Sequence, residues 1–157
     1  MGILLSWEKL ARWRQEQKKA GRKLVATNGC FDLLHVGHVR FLQEAKGLGE
    51  VLVVGVNGDA SVRELKGEGR PLNGETERAE VIAALGCVDA VVIFPEKRAS
   101  RFLKEVQPEV YVKGGDYEPD QLDREELAAV EAGGGAVQVL KLTPGRSTTA
   151  VLEKIRK

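Results

Sequence analysis

"VLVVGV", residues 51 to 56, runs through six positions without a polar side chain, so it is apolar on both faces of any strand it forms. A strand that buries both faces belongs in a parallel sheet covered by helices above and below, joined by right-handed crossovers. Similar runs recur around it: "KLVAT" at 23–27, "AVVIF" at 90–94, "VYVK" at 110–113 and "AVQVLKL" at 136–142. Helical patterns follow each run in turn, at 37–47, 75–85, 98–106, 122–132 and 147–156. The alternation predicts an α/β fold: a Rossmann-like doubly wound sandwich on a five-stranded parallel sheet.

Ahead of this pattern, Leu10, Trp13 and Gln17 share a face with Ser6 and Trp7, and Gly21 stands where a C-cap would, which predicts an amphipathic helix over 7–20. The chain thus divides into an N-terminal helical extension, 1–21, and a main domain, 22–157. At 157 residues one such domain buries roughly 70% of the surface its unfolded chain exposes. The 24 Lys and Arg nearly balance the 23 Asp and Glu, so there is no overall basic field of the kind that holds nucleic acid. Cys30 and Cys87 are far apart and form no C-x-x-C, which predicts free thiols. The opening "MGILLSWEKLARWRQEQKK" has a short apolar run with its basic residues behind it, unlike a signal peptide. No stretch approaches the ~20 apolar residues of a membrane span, and the expected location is cytoplasmic.

In open parallel sheets, ligands bind beyond the carboxyl ends of the strands, near the point where the winding reverses. The first predicted strand ends at about Asn28, inside "TNGCFDLLHVGHVRFL", residues 27–42, which carries both histidines of the chain. Gly29 allows a tight turn, and Gly37 lies where a helix begins, so N–H groups there can face an anion. His35 and His38, three apart, project to the same side. Two other uses of the pair stay open: zinc ligation with Asp32 or Cys30, although no third ligand stands at a usual spacing, and capping and packing alone. No G-x-G-x-x-G follows the first strand, and "GRPLNGET" at 69–76 has Glu-Thr where a P-loop requires Lys-Ser/Thr. "NGDASVRELKGEGRPLNGE", 57–75, shows no clear pattern and reads as a long functional loop over the strand ends.

"GCFDLLHVGHVRFL" resembles the G-x-F-D-x-x-H-x-G-H signature of the cytidylyltransferase-like nucleotidyltransferases. "LKGEGRPLN" at 65–73, Glu77-Arg78, "VKGGDY" at 112–117 and "STT" at 147–149 resemble, more narrowly, the heptose-1-phosphate adenylyltransferase branch, found in many bacteria as the C-terminal half of a two-domain enzyme. The resemblance covers about residues 22–157. It implies that an oxygen of a sugar 1-phosphate attacks the α-phosphate of ATP and releases pyrophosphate, chemistry that needs positioning and charge neutralisation more than a nucleophilic side chain.

The same resemblance implies roles for individual residues. His35 and His38 donate hydrogen bonds to phosphate oxygens, Lys66 reaches the triphosphate, and Gly29, Cys30, Phe31, Asp32 and Gly37 form the nucleotide-binding turn. Asp32 either fixes that turn through backbone hydrogen bonds or acts as a base. Arg78 opens a predicted helix, where its charge opposes the helix dipole, and is expected to meet phosphate. Lys113, Gly114 and Asp116 are expected at the nucleotide and its metal-bound phosphates. Ser147 is an expected N-cap, with Thr148 and Thr149 in the first turn holding a phosphate.

Magnesium would accompany ATP, with no metal site built by the protein. A separate sugar kinase would supply the 1-phosphate, since only some 21 residues precede the matching region, and homodimerisation is a family-level expectation. Glycerol-phosphate cytidylyltransferases tend to read R-T-E-G-I-S-T-T near the C-terminus, whereas here Arg146 directly precedes Ser147. That departure weighs against the cytidylyl branch. The alternatives are a cytidylyltransferase acting on glycerol 3-phosphate or a similar small alcohol phosphate, and a non-catalytic nucleotide-binding module on the same fold.

Overall fold

The computed structural model describes residues 2–115, 121–142 and 147–156. Six strands, β1 (Ile3–Leu5), β2 (Leu24–Gly29), β3 (Val51–Asn57), β4 (Ala90–Phe94), β5 (Val110–Gly114) and β6 (Ala136–Leu140), make one sheet. Every pairing is parallel, in the order β1-β4-β3-β2-β5-β6. Seven helices are described: α1 (Trp7–Lys19), α2 (Val36–Lys46), α3 (Asp59–Lys66), α4 (Glu75–Ala83), α5 (Ser100–Val106), α6 (Arg124–Ala132) and α7 (Thr148–Arg156).

The period-2 alternation of the strands divides the core in two. Leu24 and Ala26, Val51 and Val53, Ala90 and Val92 face one side, where they pack on Leu10 and Trp13 of α1, Phe102 and Leu103 of α5, and Ala129 and Val130 of α6. Val25, Leu52, Val54 and Val91 face the other, against Phe41, Leu42 and Ala45 of α2 and Ala79 and Ile82 of α4. This is the three-layer sandwich expected, and the all-buried pattern of β3 is its centre.

Two expectations change. The sheet has six strands, not five, because Ile3–Leu5 pairs with Ala90–Val92 along the edge of β4. The segment preceding the main pattern therefore contributes a strand as well as the helix α1, whose Leu10 and Trp13 are buried in the core. The stretch 57–75 is not one long loop, since its first half winds into α3 behind Gly58 and buries Ser61 and Val62. Eight residues are too few for a helical period to stand out in sequence.

From β2 the chain winds outward through β3 to β4, then crosses back to β5 on the other side of β2 and continues to β6. The winding reverses between β2 and β5. A crevice opens beyond the carboxyl ends of those two strands.

Candidate active site

That crevice is a cleft of about 730 Å³. Its lining brings together Gly29, Cys30, Phe31, Asp32, His35, Gly37, His38, Lys66, Lys113, Gly114 and Ser147. All were expected from the sequence. Asp116 lies outside the described residues, as do Arg146 and the side chain of Thr148, although Thr148 opens α7.

His35 is the N-cap of α2, and its Nδ1 accepts the N–H of Gly37 at 3.0 Å. His38 reaches back, its Nδ1 accepting the N–H of His35 at 3.3 Å. The two rings sit 3.9 Å apart, centroid to centroid. With both Nδ1 atoms acting as acceptors, each neutral ring carries its proton on Nε2. Burial, then the charge of neighbouring His35 and Lys66, pulls the pKa of His38 down to about 4, so this ring is neutral near pH 7. The Gly37 N–H expected to face an anion is therefore already taken by the His35 ring.

The turn before α2 departs from expectation in one detail. The left-handed residue is Phe31, at φ 47°, and not Gly29. Glycine at 29 serves close approach: a Cβ there would stand 3.0 Å from Cε2 of the Phe31 ring, which folds back across it. The same ring packs edge-on against His38 at 5.6 Å. Burial raises the Cys30 thiol above its ordinary value, although Lys66, Arg78 and Arg70 pull the other way.

Asp32 is buried, and its carboxylate accepts the backbone N–H of Leu72 at 2.8 Å, that of Asn73 at 3.0 Å and Nε of Arg70 at 2.8 Å. Burial alone would raise its pKa, but these donors outweigh burial and hold it below the usual carboxylate range. Of the two roles left open, the geometry supports fixation of the loop. It also draws Arg70, within "LKGEGRPLN" and not among the expected site residues, into the cleft.

Arg78 overturns its expected phosphate contact. Its side chain is fully buried; Nε donates to the Asn73 carbonyl at 2.8 Å, Nη1 to the carbonyls of Cys30 at 2.6 Å and Asn57 at 2.8 Å, and Nη2 to Asp59 at 2.8 Å. The guanidinium clamps three chain segments, at Cys30, at Asn57 with Asp59, and at Asn73. A helix dipole repels an exposed charge, whereas this guanidinium is enclosed and paired with Asp59.

Across the strand ends, Lys113 pairs with Glu126 at 3.3 Å, and Glu126 also accepts the Ala99 N–H at 2.8 Å. Arg98 pairs with Asp123. None of Arg98, Asp123 and Glu126 was picked out from sequence. Asp123 does carry a signal, the D-x-x-E of an N-cap, which the structure realises with Glu126 N–H donating to its side chain at 2.9 Å. Gly114 lies against Leu142 and Phe41, where a Cβ would come within 2.9 and 3.0 Å of their side chains, giving the cleft one narrow apolar end. Ser147 caps α7, its Oγ accepting the Ala150 N–H at 3.0 Å.

Among the described residues no group of three or more His, Cys, Asp or Glu stands together as a metal site. Asp32, Asp123 and Glu126 are each engaged by a cation and a backbone N–H. Among the same residues no helix is long and apolar enough to cross a membrane.

The family model described as cytidylyltransferase-like matches residues 26–154. Bifunctional protein HldE of Geotalea uraniireducens (strain Rf4) is 54% identical over 147 residues, covering 94% of this chain and 30% of that protein. The protein of the same name from Ectopseudomonas mendocina (strain ymp) is 50% identical over 153 residues, 98% of this chain and 32% of its own length. The chain thus spans about a third of these relatives. Among solved structures, the lipopolysaccharide core biosynthesis protein from Thermoplasma volcanium GSS1 superposes with a TM-score of 0.64 at 30% identity, covering 78% of this chain and 98% of that one. Pantoate-beta-alanine ligase from Francisella tularensis reaches 0.61 at 12% identity over 95% of this chain and 69% of its own, a likeness of fold alone.

Proposed function

The chain belongs to the cytidylyltransferase-like family of nucleotidyltransferases, and from that premise we propose that it transfers AMP from ATP to a heptose 1-phosphate, giving ADP-heptose and pyrophosphate. The observation that carries the reading is the His35–His38 pair, two imidazoles whose Nδ1 atoms are fixed by backbone N–H groups at the mouth of α2. Their Nε2–H groups are the donors for phosphate oxygens as negative charge grows in the transition state. Lys66 and Arg70 line the same cleft and supply positive charge for the triphosphate. Magnesium carried in with ATP would neutralise part of the charge on the phosphates. An ionised sugar phosphate needs no base to remove a proton before it attacks. That agrees with an Asp32 locked into its loop.

The choice of ATP and of a heptose rests on the "LKGEGRPLN", "VKGGDY" and "STT" segments and on the likeness to the HldE proteins. The 1-phosphate must come from a kinase, and the bifunctional relatives, about three times as long as the matched region, have room for one. Pyrophosphate release measured with ATP or CTP against a panel of sugar and polyol phosphates tests the reading. ATP with heptose 1-phosphate is expected to be fastest. Faster release with CTP and glycerol 3-phosphate would move the chain to the cytidylyl branch.

A further inference from the structure

We propose that the cleft wall formed by Arg98 and Asp123 is the acceptor side of the site, with Arg98 binding the phosphate of the incoming sugar phosphate and Asp123 positioning its guanidinium. The proposal rests on the nucleotidyltransferase reading above and adds to it the residues that receive the second substrate.

The cleft has two walls on opposite faces of the sheet. His35 and His38 belong to α2, which packs on one face, whereas Arg98 precedes α5 and Asp123 caps α6, both packed on the other. In-line displacement requires the attacking oxygen and the departing pyrophosphate to lie on opposite sides of the α-phosphorus. With the pyrophosphate held toward the His pair, Lys66 and Arg70, the acceptor enters from the wall that carries Arg98. An ionised oxygen of the sugar 1-phosphate forms the new bond to that phosphorus. The bond to the bridging oxygen breaks, its electron pair leaves with pyrophosphate, and no proton is removed from the acceptor.

An anion approaching a triphosphate needs a cation of its own. Arg98 offers a planar fork matched to phosphate oxygens. Its side chain is 60% exposed, while that of its partner Asp123 is 19% exposed, so the carboxylate is the fixed member and the guanidinium is open to a ligand. Asp123 divides its oxygens: Oδ1 accepts the Glu126 N–H at 2.9 Å as the cap of α6, and Oδ2 holds Arg98. The segment bearing Arg98 is itself anchored. Ala99 N–H donates to Glu126 at 2.8 Å, and Nδ2 of Asn57 reaches the carbonyls of Glu96 and Lys97 at 3.4 Å. A guanidinium on a tethered segment, held by a capping carboxylate, is preorganised in a way that a solvated surface arginine is not.

Steady-state kinetics on Arg98→Gln, Arg98→Lys and Asp123→Asn, with ATP and heptose 1-phosphate varied separately, test the proposal. Losing a charge-assisted bond to phosphate should raise the acceptor KM roughly ten- to hundred-fold in Arg98→Gln, with the KM for ATP within about two-fold of wild type. Arg98→Lys should recover part of the loss. Asp123→Asn keeps an N-cap of equal quality, so Tm should hold while the acceptor KM rises by roughly three- to ten-fold. A rise in the KM for ATP with the acceptor KM unchanged would place Arg98 on the nucleotide and overturn the proposal. Unchanged values for both substrates would overturn it too. A wild-type protein that releases no pyrophosphate with any pair on the panel would instead sink the function on which the proposal rests, a distinct result.

Discussion

His35 and His38 close a reciprocal pair at the start of α2: the His35 ring takes the N–H of Gly37, and the His38 ring takes the N–H of His35. Each ring caps the start of α2 through its Nδ1, and in the proposed function its Nε2–H is the donor to phosphate; the two roles separate by mutation. Asparagine caps helices well but cannot present a distal N–H as imidazole does. His35→Asn should therefore keep the wild-type Tm and lose about 10²- to 10³-fold in kcat, the usual effect of removing one transition-state donor. His35→Ala should show the same kinetic loss together with about 1 kcal/mol of stability. Wild-type turnover in His35→Asn would reduce the pair to capping alone.

Titration of His38 gives a signed prediction. Its pKa falls from the ordinary 6.5 to about 4 in the folded chain, through burial first and then through His35 and Lys66. Between those values the unfolded chain binds a proton at this ring and the folded chain does not, so stability rises with pH. The contribution is fully present above pH 6.5 and is lost as pH falls toward 4. Melting curves of wild type and His38→Gln from pH 8 to pH 4 should diverge over this window, with wild type losing more. Parallel curves would mean that the ring titrates normally.

Much of this was legible because the sheet is buried on both faces. A strand such as Val51–Asn57, fully buried, leaves an unbroken apolar run that few other structures produce. Ile3–Leu5 was not legible: three residues carry no period, and their strand state comes from pairing with Ala90–Val92, far along the chain. The site divided in the same way. The motif around His35 is local, whereas Arg78 meets Cys30, Asn57 and Asn73 only through folding, and nothing in "ETERAE" marks a buried guanidinium. Arg98 sits in "PEKRASR", a charged run that in sequence reads as a solvated surface.

For Arg78 the structure predicts a stability phenotype ahead of a kinetic one. Arg78→Met leaves the carbonyls of Cys30, Asn57 and Asn73 without this donor, in a place largely closed to water. Each orphaned buried group costs about 1–3 kcal/mol, so a total near 3 kcal/mol or more is expected. For a domain of this size that corresponds to a Tm lowered by roughly 6–12 °C. The original phosphate assignment would instead leave Tm unchanged and raise the KM for ATP alone. Thermal melts beside ATP kinetics distinguish the two.

Cys30 provides a chemical probe of the cleft. The thiol lines the site, and its raised pKa keeps the reactive thiolate scarce near pH 7. Iodoacetamide should therefore label Cys30 more slowly than a free thiol at pH 7.5 and faster as pH rises, with ATP protecting it. Peptide mass spectrometry resolves it from Cys87. Labelling unaffected by saturating ATP would show that the nucleotide does not cover this turn.

Asp32 and Arg70 test whether the reaction uses a base. The Asp32 carboxylate holds Arg70 and the backbone of Leu72 and Asn73, so it is an acceptor already committed to four contacts in the loop that bears Arg70. In Asp32→Asn the loop loses a charged acceptor, Arg70 loses its partner, and both the KM for ATP and kcat should worsen. Arg70→Gln should reproduce the nucleotide effect with Asp32 intact. A base would behave differently: Asp32→Asn would lower kcat with ATP affinity preserved, and the wild-type rate would fall on the acid side with the pKa of that group. Because the hydrogen bonds hold this pKa below its ordinary 3.8, against the upward push of burial, Asp32 stays ionised across the neutral range. Its contribution to stability is present above 3.8 and is lost only as pH falls through the lower folded value. The rate from pH 6 to pH 8 should accordingly carry no limb from Asp32, and an Asp32→Asn variant with unaltered ATP affinity and abolished turnover would restore the base that the loop geometry rejects.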